Sequence, residues 1–207
     1  MPRKAWNRYA QYAGRRTNHL EVRQRFLIVC EGEKTEPNYF EGFRVPKDVV
    51  VDIEPGVGTH ISVVRKAISL KDAAGDDYDQ VWCVFDRDKD GANHSDAQNF
   101  NEALRLAAAN DIKVAYTNDA FELWYLLHFN YHDTAIHRHD YITKLGVLLG
   151  AEYKKNDPDM FQKLEDKMDH ATRNAKKLLS QYNPSAPERD DPSTTVHLLV
   201  EQLRLYL

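Results

Sequence analysis

Two runs of the chain, Phe26-Leu27-Ile28-Val29-Cys30 after Arg25 and Val81-Trp82-Cys83-Val84-Phe85, are apolar without alternation and stop abruptly at charge and glycine. A strand with one face in water alternates apolar and polar side chains. A strand covered on both faces does not, so these runs read as buried strands of a parallel sheet. Elsewhere the period changes. From His60 to Leu70, Ile61, Val64, Ala67 and Ile68 fall at helical spacing. Phe100, Ala103, Leu104 and Ala107 share one face of a helix that Ser95 or Asp96 can cap and that runs to about Ala109. Strand–helix alternation of this kind indicates an α/β fold with a mostly parallel sheet flanked by helices.

The remaining elements fit that alternation as far as about residue 135. A short helix from Glu36 to Phe43 follows the first strand, with Thr35 as N-cap and Pro37 near its start. Val49 to Ile53 is a strand, Glu54 to Gly58 a turn, and Gly75-Asp76-Asp77 breaks the next helix. Ile112 to Tyr116 is a fourth strand and Phe121 to Phe129 a strongly apolar helix. Beyond about residue 135 strand signals stop. Tyr141 to Leu149 and Met160 to Leu179 read as helices, residues 183–187 as a loop, and a last helix ends near Leu205. The chain therefore divides into an arm (1–24), an α/β core (25–135) and a C-terminal helical extension (136–207) packed on the core. A length of 207 residues, 42% of them hydrophobic, suits that size.

Charge is uneven. The net charge of −4 neither favours nor excludes a polyanionic substrate, but residues 1–25 carry Arg3, Lys4, Arg8, Arg15, Arg16, Arg23 and Arg25 against Glu21 alone. Such an arm can lie on nucleic-acid phosphates or remain a solvated tail. Its Trp6, Tyr9 and Tyr12 also suit a partner subunit. No apolar stretch has the length of a membrane span or the form of a signal peptide, which implies a cytoplasmic protein with no membrane partner. Cys30 and Cys83, both in core strands, read as small buried apolar residues.

The two strands end on acids. Glu31 follows the first and precedes Gly32, whose backbone can approach a phosphate closely. Asp86 and Asp88 follow the second. Ligands of open α/β sheets sit outside the carboxyl ends of the strands, so these three carboxylates would meet on one sheet edge. Oxygen-only clusters hold Mg²⁺ or Mn²⁺, which accept a substrate phosphate as a further ligand. Lys34 can neutralise a phosphate or the attacking species, and Glu33 and Glu36 can join a second ion. Asp90 is a candidate outer-shell group, while Arg87 and Lys89 can reach phosphate or simply face solvent. A calcium loop counted from Asp86 fails, because its twelfth position is Ala97 rather than glutamate. His128 and His132 have i,i+4 spacing, with His137 and His139 nearby, but no glutamate stands between them and the helix is ending. A histidine there could otherwise act as an acid or base.

The order of apolar strand, Glu-Gly, then Asp-x-Asp resembles the Toprim fold of topoisomerases, primases and OLD-type nucleases. The longer strings Leu27-Ile28-Val29-Cys30-Glu31-Gly32-Glu33-Lys34-Thr35-Glu36-Pro37-Asn38-Tyr39-Phe40, Phe85-Asp86-Arg87-Asp88 and Asn118-Asp119-Ala120-Phe121-Glu122-Leu123-Trp124-Tyr125 resemble the RloB family of Toprim proteins. That family is found in bacterial and archaeal restriction or anti-phage loci, often beside an ABC-type ATPase. The resemblance runs from about Arg25 to the Pro192-Ser193-Thr194-Thr195-Val196 segment.

The resemblance implies Glu31 as metal ligand or general base, Asp86 and Asp88 as metal ligands, and Glu122 as a fourth carboxylate that binds or orients the ion. Glu122 is equally explained as an acid favoured by a helix N-terminus. Where the family commonly shows Asn-Pro-Cys, this chain has Asn118-Asp119-Ala120, which puts any role of that turn in doubt. The implied function is an Mg²⁺- or Mn²⁺-dependent endonuclease of antiviral defence, cutting DNA or RNA, including tRNA, with an ABC-type ATPase as partner and a homo-oligomer left open. A primase-like nucleotidyl transferase and a non-catalytic Toprim interaction subunit are the alternatives.

Overall fold

The structure, a computed structural model, describes residues 24–87 and 94–207, the side chains of residues 94–96 excepted. Among the described residues five strands form one sheet: β1 (Gln24–Cys30), β2 (Val49–Glu54), β3 (Gln80–Asp86), β4 (Lys113–Asn118) and β5 (Ser193–Thr194). Their order is β2-β1-β3-β4-β5, with the first four parallel and β5 antiparallel to β4. The chain is an α/β protein, as the alternating periods indicate.

The unbroken apolar runs are explained by cover on both faces. Phe26, Ile28 and Cys30 of β1 belong to one buried cluster, and Leu27 and Val29 to another on the opposite face. Helices α2 (His60–Ala74) and α3 (His94–Ala109) pack the second face through Val63, Val64, Ala67, Phe100 and Ala103. The first face carries α1 (Thr35–Glu41), α4 (Glu122–Phe129), α5 (Arg138–Leu149), α6 (Met160–Leu164), α7 (Met168–Leu179) and α8 (Val196–Arg204). Its centre is aromatic. Tyr39 meets Phe121, Trp124, Tyr125 and Phe161 with ring centroids 5.6–6.4 Å apart, so α1, α4 and α6 share one core. No helix among the described residues is long and apolar enough to cross a membrane.

Four local expectations need correction. Thr35 is not the N-cap of α1: Lys34 holds that place without a side-chain cap, and the Thr35 hydroxyl donates to the Lys155 carbonyl at 2.8 Å. A bond across more than a hundred residues has outcompeted the local one. The segment from Met160 to Leu179 is two helices joined by a 3₁₀ turn at Glu165–Lys167. Its apolar spacing stays continuous through the join, and neither glycine nor proline marks the turn. Strand formation does not stop at residue 135, since β5 pairs Thr117 with Thr194 and Asn118 with Ser193. Two polar residues give no periodic signal, yet both are fully buried, and the Thr117 and Thr194 hydroxyls bond at 3.0 Å. Arg87 is buried rather than facing solvent.

Candidate active site

From β1 the chain crosses by α1 to β2 on one side, then returns by α2 to β3 on the other side of β1. Such a reversal leaves a crevice between the two central strands at their carboxyl ends, where α/β proteins bind ligands. Glu31 and Asp86 stand at that point. Glu31 continues β1, its amide donating to the Val84 carbonyl at 2.9 Å, and its Oε2 accepts from the Asp86 amide at 3.1 Å. Asp86 is the last residue of β3. Its Oδ2 accepts from the Phe121 amide at 3.0 Å, while Oδ1 is buried with no hydrogen-bond partner among the described residues. Below it, the buried His60 ring donates through Nε2 to the Asp86 carbonyl at 2.6 Å, fixing the strand end.

Two further carboxylates close the crevice. Glu122, the first residue of α4, is 4% exposed, and its Oε1 accepts from the Tyr153 hydroxyl at 3.1 Å. Glu36, on the first turn of α1, is 5% exposed and accepts from its own amide and that of Gly32. A Cβ on Gly32 would lie 2.2 Å from Glu36 Oε2, so glycine is what lets this carboxylate sit there. Glu31, Lys34, Glu36, Asp86 and Glu122 line one cavity of about 420 Å³. Arg138 and Lys155 face them from the C-terminal part of the chain.

Crowded, buried carboxylates resist ionising together. Burial holds the Asp86 carboxyl well above the usual aspartate range, and the charges of Glu36, Glu122 and Glu31 push it further. Burial likewise raises Glu36, opposed by its backbone hydrogen bonds and by the charge of Lys155 while Glu122 adds to the rise. The Tyr153 hydroxyl is raised by burial and by Glu122, so it remains a donor to that carboxylate. Among the described residues no three His, Cys, Asp or Glu side chains are gathered closely enough to enclose an ion as they stand. The donor set nevertheless suits a hard divalent cation. It consists of carboxylate oxygens alone, and Asp86 Oδ1 is a buried acceptor lacking a donor among the described residues.

Of the residues singled out in the sequence, Glu31, Lys34, Asp86 and Glu122 share this cavity, as do Glu33 and Glu36. Asp88, Lys89, Asp90 and residues 1–23 lie outside the described residues. The histidines go elsewhere. His128 is a core residue whose Nδ1 meets the Trp124 carbonyl at 2.9 Å, and burial lowers its pKa to about 4. Sequence reasoning passed over Tyr153, Arg138 and Lys155. No local pattern points to them, because a loop more than a hundred residues from Glu31 delivers two of the three.

The matching family model is that described as RloB-like protein, over residues 26–203, a span that contains every residue of the cavity. No curated protein and no solved structure matches the chain.

Proposed function

The chain belongs to the RloB-like family, and on that premise we propose that it is a divalent-metal-dependent nuclease hydrolysing phosphodiester bonds of DNA or RNA in antiviral defence. The observation that carries the reading is that Glu31, Asp86 and Glu122 line one cavity at the crevice between the central strands, with the buried Asp86 Oδ1 lacking a donor among the described residues. These three would hold Mg²⁺ or Mn²⁺, joined by Asp88 as the sequence implies. A bound ion of this type polarises a phosphate, lowers the pKa of water and stabilises a leaving oxygen.

The chain's own groups do the rest. His60 and the Phe121 amide hold Asp86 in place, and Tyr153 orients Glu122. Lys34, exposed at the cavity rim, supplies positive charge to a phosphate oxygen. Glu36 lines the same cavity and can join a second ion, as the sequence implies. The wider setting, a cytoplasmic protein working with an ABC-type ATPase, rests on the family resemblance alone.

The test is direct. Full-length protein is incubated with single-stranded DNA, duplex DNA, tRNA and a single-stranded RNA, each with Mg²⁺, Mn²⁺ or EDTA. Cleavage of at least one class with Mg²⁺ or Mn²⁺, and none with EDTA, is expected. No cleavage of any substrate, together with a melting temperature indifferent to either ion, would overturn the proposal.

A further inference from the structure

The cavity has an acidic floor and a basic wall, and the two come from different parts of the chain. Lys155 sits on the loop between α5 and α6. That loop is tied to α1 by two bonds: the Thr35 hydroxyl donates to the Lys155 carbonyl at 2.8 Å, and the Asn38 side-chain amide donates to the Asn156 carbonyl at 3.3 Å. Both acceptors are backbone carbonyls, so the Lys155 side chain is left to the cavity it lines. Arg138, the first residue of α5, lines the same cavity.

The loop also bounds a second hollow of about 690 Å³, which shares Lys155 and Asn156 with the first and so continues it outward past Lys154. Of the charges on that outer hollow, Asp157 is engaged by Lys163 at 2.5 Å, which leaves Glu152 as the remaining acid among the described residues. Neither Lys154 nor Lys155 forms an ion pair among the described residues.

We propose that Lys155 and Arg138 form a phosphate-binding wall opposite the carboxylates, and that the hollow past Lys154 carries the adjoining backbone of the nucleic acid being cut. This rests on the nuclease reading and assigns its substrate contact. A polyanion cannot approach five carboxylates without cations beside them, and the carboxylate-lined cavity has its positive side here. Contacts from lysine and arginine to phosphate are independent of base sequence, so the groove binds backbone rather than reading bases.

Binding is measured by fluorescence anisotropy on labelled 30-nucleotide single-stranded DNA, single-stranded RNA and the corresponding duplexes. The protein is the full-length chain with Asp86→Asn, which prevents cutting. Adding Lys154→Gln and Lys155→Gln is expected to weaken binding about tenfold at 0.1 M salt. The log–log salt slope should become shallower by roughly 0.7–0.9 for each phosphate that no longer meets a lysine. Lys155→Arg should bind like its parent. So should Lys47→Gln, an exposed lysine on the loop that enters β2 at the opposite sheet edge. Equal affinity and slope for the parent and the double lysine variant would overturn the wall, as would a parent that binds none of the probes. The Mn²⁺-induced rise in melting temperature, measured with Asp86 intact, should survive both lysine changes. Its absence from the native protein would strike the metal reading instead, so the two failures are distinct.

Discussion

Asp86→Asn is expected to reduce cleavage by about 100-fold or more while the protein stays folded and, freed of metal, becomes more heat-stable. Groups that merely orient a metal ligand typically cost 10–100-fold when changed, and a direct ligand costs more. Asparagine keeps the acceptor for the Phe121 amide and places an NH₂ where Oδ1 now lies buried with no donor among the described residues, in the cavity that Glu36 and Glu122 also line. It also removes one of several mutually repelling charges. Binding and stability are thus opposed at this position, as expected where a site is built for an ion rather than for the fold.

The same residue sets a pH dependence. Burial first, and then Glu36, Glu122 and Glu31, raise the folded-state pKa of Asp86. A carboxyl with a raised folded pKa holds its proton more tightly in the folded chain. Its stabilising contribution is complete below the ordinary aspartate value of about 3.9, and it is lost as pH rises through the folded value. In EDTA, the melting temperature of the native protein should therefore fall relative to that of Asp86→Asn as pH rises from acid to neutral. Added Mn²⁺ should reverse the order at neutral pH. Parallel melting curves at every pH, or cleavage unchanged in a folded Asp86→Asn variant, would place the chemistry elsewhere.

Gly32→Ala should lower cleavage about 10–100-fold with a melting temperature changed by only a few degrees. The new methyl would fall 2.2 Å from Glu36 Oε2 and 2.8 Å from its carboxyl carbon. The atoms it meets end a side chain, so the backbone need not move, but the Glu36 carboxylate must give up its present position in the cavity. Folding tolerates that shift and a preorganised site does not. Activity equal to the native level would show that Glu36 has no part in the chemistry. A collapse of the melting temperature would show that its role is structural.

These effects trace back unevenly to what the sequence displays. The sheet was legible because burial on both faces removes alternation, which makes Phe26 to Cys30 and Val81 to Phe85 unmistakable as strands. Glu31 and Asp86 were legible for a related reason: a charge that ends a buried strand has few places to go except the crevice at the sheet edge. Glu122 needed the family resemblance, since an acid on the first turn of a helix is unremarkable by itself. Tyr153, Arg138 and Lys155 left no trace, because their positions depend on bonds such as Thr35 to Lys155, made between segments far apart in the chain. The short β5 was hidden likewise, its two polar residues paired to β4 by tertiary context alone.

The most direct test of the cation site is anomalous diffraction from a crystal of the full-length protein soaked in Mn²⁺. A single strong peak, or a close pair, is expected in the crevice between β1 and β3, bonded to carboxylate oxygens of Glu31 and Asp86 and absent from Asp86→Asn crystals. A soak that leaves this crevice without a peak while Asp86 Oδ1 stays buried and unbonded would contradict the metal site and the nuclease reading built on it.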